Sequence, residues 1–131
     1  MTAANPPLRV LFDTNAYDAI INAGDEDRIE AASAAGRLAA IVTDVQEDEI
    51  RQIRNRRRQK RLLSLFHRIG SQRVDPAEVI GSDITHMARD EILARVAEAC
   101  CDVLVTNDRA LAERCAKAVG YAAFSKDALE T

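Results

Sequence analysis

Three short runs of mostly apolar residues are spaced along the chain, at residues 8–12, 39–43 and 103–106. Apolar runs of four or five residues, rich in Val, Leu and Ile, are typical of buried strands. Between these runs, apolar positions recur at intervals of three and four residues, which predicts helices. The helices are expected at residues 16–22, 28–36, 44–70 (with room for a break), 84–101 and 109–119.

The remaining stretches have weaker patterns. Residues 71–83 are loop-like with room for a short extended piece, Gly120 is expected to end the helix before it, and residues 121–125 are expected to form a last short strand. Strands that alternate with helices predict parallel βαβ units and therefore a three-layer α/β domain. No repeat or linker divides the chain, so residues 1–131 are predicted to form one domain.

Two of the predicted strands run into an aspartate. Asp13 follows the first strand in "VLFDTN", and Asp108 follows the last in "VLVTND". Ligands of open parallel sheets bind beyond the carboxyl ends of the strands, so both carboxylates are expected at that edge. A carboxylate there is costly to desolvate unless a positive charge lies beside it. Taken singly, each aspartate is equally well explained as the N-cap of the next helix.

Two further acids lie near the starts of predicted helices. In the helix after the second strand, an inward stripe is formed by Val45, Ile50 and Ile53. Glu49 falls on this stripe, whereas Glu47 and Asp48 point elsewhere. In the helix over residues 84–101, the expected core stripe is formed by Ala88, Ile92, Val96 and Ala99. Asp90 lies roughly opposite, so its spacing alone predicts a solvated side chain.

The residue types around these acids favour a hard metal ion. No Cys-x-x-Cys pair is present, the only histidines are His67 and His86, and the cysteines are predicted to be reduced, at Cys100, Cys101 and Cys115. Carboxylates without nitrogen or sulfur ligands suit Mg²⁺ or Mn²⁺. A metal ion would also supply the positive charge that crowded carboxylates need.

Composition excludes some functions and indicates a location. Aromatic residues make up 4% of the chain, which argues against a base-stacking surface for single-stranded nucleic acid. The first ten residues contain no apolar signal core, and no apolar stretch is long enough for a membrane span, so a cytoplasmic protein without a membrane partner is expected.

The order of these motifs resembles that of the PIN-domain (PilT N-terminus) nucleases. The matching stretches are "VLFDTN", "VQEDEI", "DEILARVA" and "CDVLVTND", and the resemblance extends from Leu8 to about Leu129. It implies a Rossmann-like central parallel sheet in an α/β/α sandwich and a Mg²⁺- or Mn²⁺-dependent ribonuclease site. The implied catalytic and metal-binding residues are Asp13, Glu49, Asp90 and Asp108. Unlike the helical spacing, the resemblance places Asp90 in the site.

The resemblance also implies supporting residues and partners. Thr106, Asn107 and Asn15 would support the acids. Many small single-domain members of the family are toxins of bacterial toxin–antitoxin pairs, which implies an RNA substrate, an antitoxin-type inhibitor protein and a homodimer. The Arg-rich segment between the second and third motifs is not part of the family signature, which leaves the subgroup of this chain open.

That segment, residues 51–61, places a basic patch on an acidic body. It reads "RQIRNRRRQKR" and holds seven of the eighteen Lys and Arg residues, although the net charge of the whole chain is −3. On one continuous helix, a single face would present Arg51, Arg54, Arg58 and Arg61. This face is expected to bind RNA phosphates near the acidic site. A merely solvated helix and a docking surface for an acidic protein are the alternatives.

Two other functions are compatible with the residues. The first is a phosphatase or phosphotransfer enzyme with Asp13 as its nucleophile. Phosphatases of the haloacid-dehalogenase type place a second aspartate two residues later, where this chain has Asn15, and use a late lysine, for which Lys117 and Lys126 are weak candidates. The second is a non-catalytic RNA- or protein-binding domain, which the presence of all four acids disfavours.

Overall fold

A computed structural model describes residues 5–129 of the chain. Its strands are β1 (Leu8–Phe12), β2 (Leu38–Val42), β3 (Gly70–Arg73), β4 (Val103–Val105) and β5 (Ala118–Val119). Its helices are α1 (Thr14–Ala23), α2 (Glu26–Ala34), α3 (Asp44–Arg51), α4 (Arg56–Ile69), α5 (Pro76–Ile80), α6 (Arg89–Cys100), α7 (Arg109–Ala112) and α8 (Tyr121–Leu129).

The five strands form one parallel sheet in the order β3-β2-β1-β4-β5. The three strands expected from the apolar runs are confirmed as its centre, where Leu8 pairs with Leu38 and Val10 pairs with Val103. Because β1 lies between β2 and β4, the carboxyl ends of the three most buried strands meet at one edge.

The sheet has an apolar core on each face. Alternate residues of β1 point to opposite sides, so Val10 and Phe12 enter one core and Leu11 enters the other. The first core contains side chains from α1, α2, α4 and α8, and the second contains side chains from α6 and α7. This arrangement confirms the three-layer α/β/α fold.

The central helices differ in extent from the expectation. The helix expected over residues 44–70 is two helices, because residues 52–55 leave the helical path between α3 and α4. Asn55 begins the second by accepting the N–H of Arg58, and Gln59 donates to the carbonyl of Arg51 across the break. Residues 71–83, expected to be loop-like with room for a short extended piece, contain most of β3 and all of α5. The helix expected from residue 84 is α6, which begins at Arg89.

The C-terminal expectations are wrong in type. Residues 109–119 were expected to be one helix, but α7 ends at Ala112 and the chain then forms β5. The backbone N–H of Leu104 donates to the carbonyl of Lys117, and that of Thr106 donates to the carbonyl of Val119. These hydrogen bonds pair residues 117–119 with β4 and add β5 to the sheet. Residues 121–125, expected as a strand, belong to α8, so Gly120 precedes a helix rather than ending one.

Two further expectations concern cysteines and membranes. Cys100, Cys101 and Cys115 are free thiols, as expected. Over residues 5–129, no helix is both long enough and apolar enough to cross a membrane. The expectation of no apolar signal core concerns residues 1–10, of which residues 1–4 lie outside the described residues.

Candidate active site

Asp13 lies between the end of β1 and the start of α1, with only 2% of its surface exposed. Its Oδ1 accepts the N–H of Thr14 at 2.8 Å, which makes it the N-cap of α1. Its Oδ2 accepts the side-chain amide of Asn15 at 3.1 Å and the hydroxyl of Thr106 at 3.0 Å. The capping interpretation is therefore correct for Asp13, and the same carboxylate also lies at the expected edge of the sheet.

Arg89, the first residue of α6, joins three of the four expected acids. One guanidinium nitrogen, Nη2, donates to Asp13 Oδ1, and Nη1 donates to Asp90 Oδ1 at 3.0 Å. The Nε atom lies against Glu49 Oε2 as an ion pair, without the alignment of a hydrogen bond. The Arg89 side chain is 30% exposed. The structure therefore gathers Asp13, Glu49 and Asp90 around a single cation.

The position of Asp90 corrects the helical-face prediction. The buried face of α6 contains Ala94 and Ala97, which lie four and seven residues after Asp90 on the same side of the helix. Ala88 and Ala99, the expected ends of the core stripe, are exposed. Small residues allow α6 to approach the sheet closely, so an acid on this side reaches the edge near Asp13.

The expected supporting residues form a network that links β1, β4 and α8. The side chain of Asn15 accepts the backbone N–H of Asn107 at 2.9 Å, and Asn107 Oδ1 accepts the N–H of Tyr121 at 3.0 Å. The hydroxyl of Thr106, 2% exposed, donates to Asp13 and accepts the N–H of Asp108 at 3.0 Å. These contacts fix Asp13 relative to the end of β4.

Asp108 is nearby but is not part of the Arg89 cluster. Its Oδ1 accepts the N–H groups of Ala110 and Leu111, so it caps α7 as the capping interpretation predicted. Within residues 5–129 its carboxylate forms no ion pair, and its connection to Asp13 runs through its backbone N–H and Thr106.

Gln46 is a structural residue of the site that the sequence interpretation missed. It is completely buried, and its amide donates to the carbonyl of Phe12, the residue before Asp13. It also closes a capping box with Thr43 at the start of α3. The Thr-x-x-Gln spacing after a strand is the signal that could have revealed it. Gln46 thereby fixes α3, which carries Glu49, to the end of β1.

Glu47 has more partners than expected. Helical spacing turns Glu47 away from the inward stripe, which predicts a side chain that needs no partner. That prediction is wrong, because Glu47 pairs with Arg51, His67 and Arg73 from α3, α4 and β3. Hydrogen bonding to His67, followed by the contacts with the two arginines, lowers the pKa of Glu47 to about 2. This cluster joins three elements and is separate from the Arg89 contacts.

The basic run does not form a single helical face. Arg51 ends α3, Arg54 lies in the break, and Arg58 and Arg61 lie on α4. Three of the four are paired: Arg51 with Glu47, Arg58 with Asp18 at 2.5 Å, and Arg61 with Glu26. Over residues 5–129, the exposed cations of this run without an ion pair are Arg54, Arg56, Arg57 and Lys60.

Arg58 brings this basic surface close to the acids. Its hydrogen bond to Asp18, with smaller contributions from the charges of Asp18 and Glu49, raises its pKa. Beside it, a cleft of about 260 Å³ between α1 and α4 is lined by Asn55, Arg57, Arg58 and Arg61, with Asp18 opposite.

Comparison with solved structures identifies the fold. The chain is similar to the PIN domain endonuclease Utp24, with a TM-score of 0.62 and 19% sequence identity over 84% of this chain and 78% of that one. The chain has the PIN-domain fold.

Two further structures with this fold resemble the chain. The protein PAE2754 from Pyrobaculum aerophilum has a TM-score of 0.58 and 17% identity, with 92% of this chain and 88% of that chain covered. VapBC2 from Rickettsia felis, solved with a DNA fragment from its promoter, has a TM-score of 0.53 and 16% identity, with 86% and 97% covered. No family model and no curated protein matches the sequence.

Within this PIN-domain fold, the acidic cluster has the donor chemistry of a Mg²⁺ or Mn²⁺ site. Three carboxylates converge on one cation, and the buried hydroxyl of Thr14, beside Asp13, has no hydrogen-bond partner within residues 5–129. No three acidic, histidine or cysteine side chains of those residues are close enough to form a metal cage. The three carboxylates surround the guanidinium of Arg89, so the residues fit the metal in type but are arranged around an arginine.

Proposed function

We propose that this PIN-domain protein is a metal-dependent endoribonuclease that hydrolyses phosphodiester bonds. The observation that carries the proposal is the convergence of three acids on one cation at the carboxyl edge of the sheet: Asp13 after β1, Glu49 on α3 and Asp90 on α6. Three carboxylates from three elements would repel one another without such a cation, so a positive charge at this place is a requirement of the site.

The site would hold its metal through these three acids, with Asp108 next to them. When bound, Mg²⁺ or Mn²⁺ supplies Lewis-acid activation of water and neutralises charge on the phosphate oxygens. Asp13 is fixed by four contacts and sets the position of the site. Glu49 and Asp90 are about 30% exposed and face the solvent from which RNA arrives. Thr106 and Asn15 keep the Asp13 carboxylate oriented.

The basic surface supports a polyanionic substrate. An acidic site repels RNA, so a phosphate-binding surface close by favours association. The α1–α4 cleft and the unpaired cations Arg54, Arg56, Arg57 and Lys60 are the residues proposed for this contact, together with Arg51, Arg58 and Arg61 once their ion pairs exchange for phosphate. Surface ion pairs are weak, about 0–1 kcal/mol, so such an exchange is feasible.

No contact among residues 5–129 favours the phosphatase alternative. Lys117 donates its ammonium protons to carbonyls at the C-terminal end of α6, including that of Cys101 at 2.7 Å. It precedes β5 and therefore lies at the opposite edge of the sheet from Asp13. Lys126 is exposed on α8.

The proposal extends to a role as the toxin of a toxin–antitoxin pair, inhibited by a small antitoxin-type protein and acting as a homodimer. Its support is the likeness to VapBC2 in fold and in nearly complete coverage of that chain. Expression of the wild-type chain in bacteria is expected to arrest growth. Bacteria that express Asp13→Asn are expected to keep growing.

The first test is cleavage of total RNA by the purified protein with Mg²⁺ or Mn²⁺ and with EDTA, beside Asp13→Asn. Asparagine can still accept the hydrogen bond from Thr14, so the variant is expected to fold while losing the charge that the metal needs. Cleavage is expected to require both metal and Asp13. Asp48→Asn, an exposed change on α3, is the matched control and is expected to keep full activity.

Two results would contradict the proposal. Full activity of Asp13→Asn would remove the acidic cluster from the reaction. Absence of both RNA cleavage and metal binding would leave the acids as helix caps and ion-pair partners. Cleavage of single-stranded DNA in preference to RNA would keep the nuclease and change the substrate.

A further inference from the structure

Arg89 occupies the place where the proposed metal would bind. Its guanidinium contacts Asp13, Glu49 and Asp90 at once, and about two thirds of its side chain is buried. Asp13 is almost completely buried and has no other cationic partner within residues 5–129. The positive charge that the buried carboxylate requires is therefore supplied by the chain itself, from the residue next to Asp90.

We propose that Arg89 is a built-in counter-ion that occupies the metal site and must leave it when a divalent cation binds. The proposal rests on the proposed function, because it takes the same three acids as the metal ligands. A guanidinium and a metal ion compete directly, since both need the carboxylate oxygens facing the centre of the cluster.

Arg89 also has a route out of the site. It lies at the first position of α6, where its remaining exposed surface faces solvent. Its long side chain can turn away while Asp90, one residue later, stays on the buried side of the helix. Its contact with Glu49 is an ion pair without hydrogen-bond alignment.

The competition predicts effects of opposite sign on metal affinity and on metal-free stability. Without Arg89, three carboxylates face each other with no cation, so the metal-free protein loses stability. The metal then binds without displacing anything, so its affinity rises. If Arg89 only linked α6 to the end of β1 and to α3, its substitution would lower stability both with and without metal. The affinity for the metal would then stay unchanged.

The test is a calorimetric titration of the purified protein with Mn²⁺, together with thermal unfolding with and without the ion. Arg89→Met keeps the apolar stem and removes the charge, and Arg95→Met, an exposed change on the same helix, is the matched control. We expect Arg89→Met to bind Mn²⁺ about tenfold more tightly than the wild type, within the usual range of coupling between two sites. Its midpoint of unfolding is expected to fall without metal and to return close to the wild-type value in saturating Mn²⁺.

Asp13→Asn separates this proposal from the proposed function. If the wild type binds Mn²⁺ in a manner that depends on Asp13, and Arg89→Met binds it equally well, Arg89 is not a competitor and the metal site stands. If Arg89→Met binds Mn²⁺ and the wild type does not bind it at the concentrations used, competition by Arg89 is supported and exceeds tenfold. If neither binds Mn²⁺, both proposals are wrong.

A second measurement covers the case in which Arg89→Met does not fold. Nitrogen-15 NMR of wild-type arginine side chains, with the Arg89 Nε–H signal assigned by its loss in Arg89→Lys, reports the guanidinium directly. Addition of Mg²⁺ is expected to move this signal to the position and fast solvent exchange of an exposed arginine. An unmoved signal in protein saturated with Mg²⁺ would overturn the proposal.

Discussion

The two carboxylate oxygens of Asp13 accept two hydrogen bonds each, from four different groups. Oδ1 faces Thr14 and Arg89, and Oδ2 faces Asn15 and Thr106. Rotation of the carboxylate would break at least two of these contacts, so its orientation is set by the surrounding residues. A proposed metal ligand that is oriented before the metal arrives loses little freedom on binding, which is the benefit expected of supporting contacts.

Thr106→Val tests this orientation because valine has nearly the same shape and lacks the hydroxyl. The change removes a donor to Asp13 and the acceptor for the N–H of Asp108. We expect RNA cleavage to fall about 10- to 100-fold, the usual effect of removing a residue that orients a metal ligand. We expect the free energy of unfolding to fall by about 1–3 kcal/mol, because the buried carboxylate of Asp13 loses a hydrogen-bond donor.

Thr85→Val is the control for this change, since its hydroxyl is exposed and, within residues 5–129, bonds to Asp83 alone. Cleavage rates and denaturant unfolding of the three proteins provide the comparison. If Thr106→Val lowers stability and keeps the wild-type cleavage rate, the Thr106 contact supports the fold alone.

At the same scale, the sequence revealed some site residues and concealed others. Asp13 follows a clear apolar strand, so its place at the sheet edge was predictable. Helical spacing assigned Asp90 to the wrong face because Ala94 and Ala97 are small and do not mark a buried stripe, and only the family resemblance placed it in the site. Arg89 gave no signal, because spacing fixes where a backbone lies and does not fix where a long, flexible side chain places its charge.

Helix α3 shows how one element is held by polar contacts on two sides. On the sheet side, Gln46 bonds to β1, and on the other side Glu47 bonds to α4 and β3. Only Ile50 of this helix is a buried apolar residue. The position of Glu49 therefore depends on hydrogen bonds and ion pairs more than on apolar packing.

The Glu47 cluster predicts a dependence of stability on pH. The pKa of Glu47 is about 2 in the folded protein, against an ordinary value of 4.5. A carboxyl group whose pKa is lowered by folding stabilises the folded state above its ordinary pKa, and this contribution is lost as the pH falls toward the folded value. The ionisable groups that face Glu47 are Arg51, His67 and Arg73, and Arg73 also pairs with Asp44.

The check is the free energy of urea unfolding of wild type and Glu47→Gln between pH 3 and pH 6. At pH 6 the wild type is expected to be more stable than Glu47→Gln. The difference between their free energies of unfolding is expected to shrink steadily from about pH 4.5 downward. Asp48→Asn, next in sequence and without an ion pair in residues 5–129, is expected to show no such trend. A difference that is constant over the range would show that the ion pairs of Glu47 do not stabilise the fold.

Element types were predictable where one pattern was strong and failed where two patterns competed. The apolar strands β1, β2 and β4 were predicted because no helix pattern overlaps them. Residues 109–119 carry apolar positions at helical spacing, yet backbone donors at Leu104 and Thr106 draw residues 117–119 to the edge of the sheet. That pairing joins residues distant along the chain, so local spacing does not reveal it.

Over the whole molecule, the basic segment also joins elements. Arg58 and Arg61 on α4 pair with Asp18 on α1 and Glu26 on α2. Further along α4, Arg68 pairs with Asp27 and Glu30, which extends the same contact to the end of the helix. Part of the basic segment therefore forms ion pairs within the fold. The predicted RNA contacts are expected mainly from the cations without an ion pair in residues 5–129, which are Arg54, Arg56, Arg57 and Lys60.

The double variant Arg54→Gln/Arg57→Gln removes two of these unpaired cations. It is the sharpest test of the RNA-binding surface proposed beside the α1–α4 cleft. Binding of a fluorescent RNA is measured against salt concentration, with every protein carrying Asp13→Asn so that the RNA stays intact. For single strands, the slope of log affinity against log salt is expected to flatten by about 0.7 for each phosphate that the variant no longer neutralises. Arg58→Gln is expected to change the slope less, because Asp18 competes with phosphate for its guanidinium.

The matched control is Arg95→Gln/Arg114→Gln, which removes the same charge from the opposite layer of the sandwich. A general loss of positive charge would weaken binding equally in both double variants. A local phosphate contact would flatten the salt slope only in the variant at the α1–α4 cleft. An unchanged slope in Arg54→Gln/Arg57→Gln would show that these arginines do not contact RNA. The basic run would then serve its ion pairs with α1 and α2 or bind an acidic protein, and RNA would bind elsewhere on the protein.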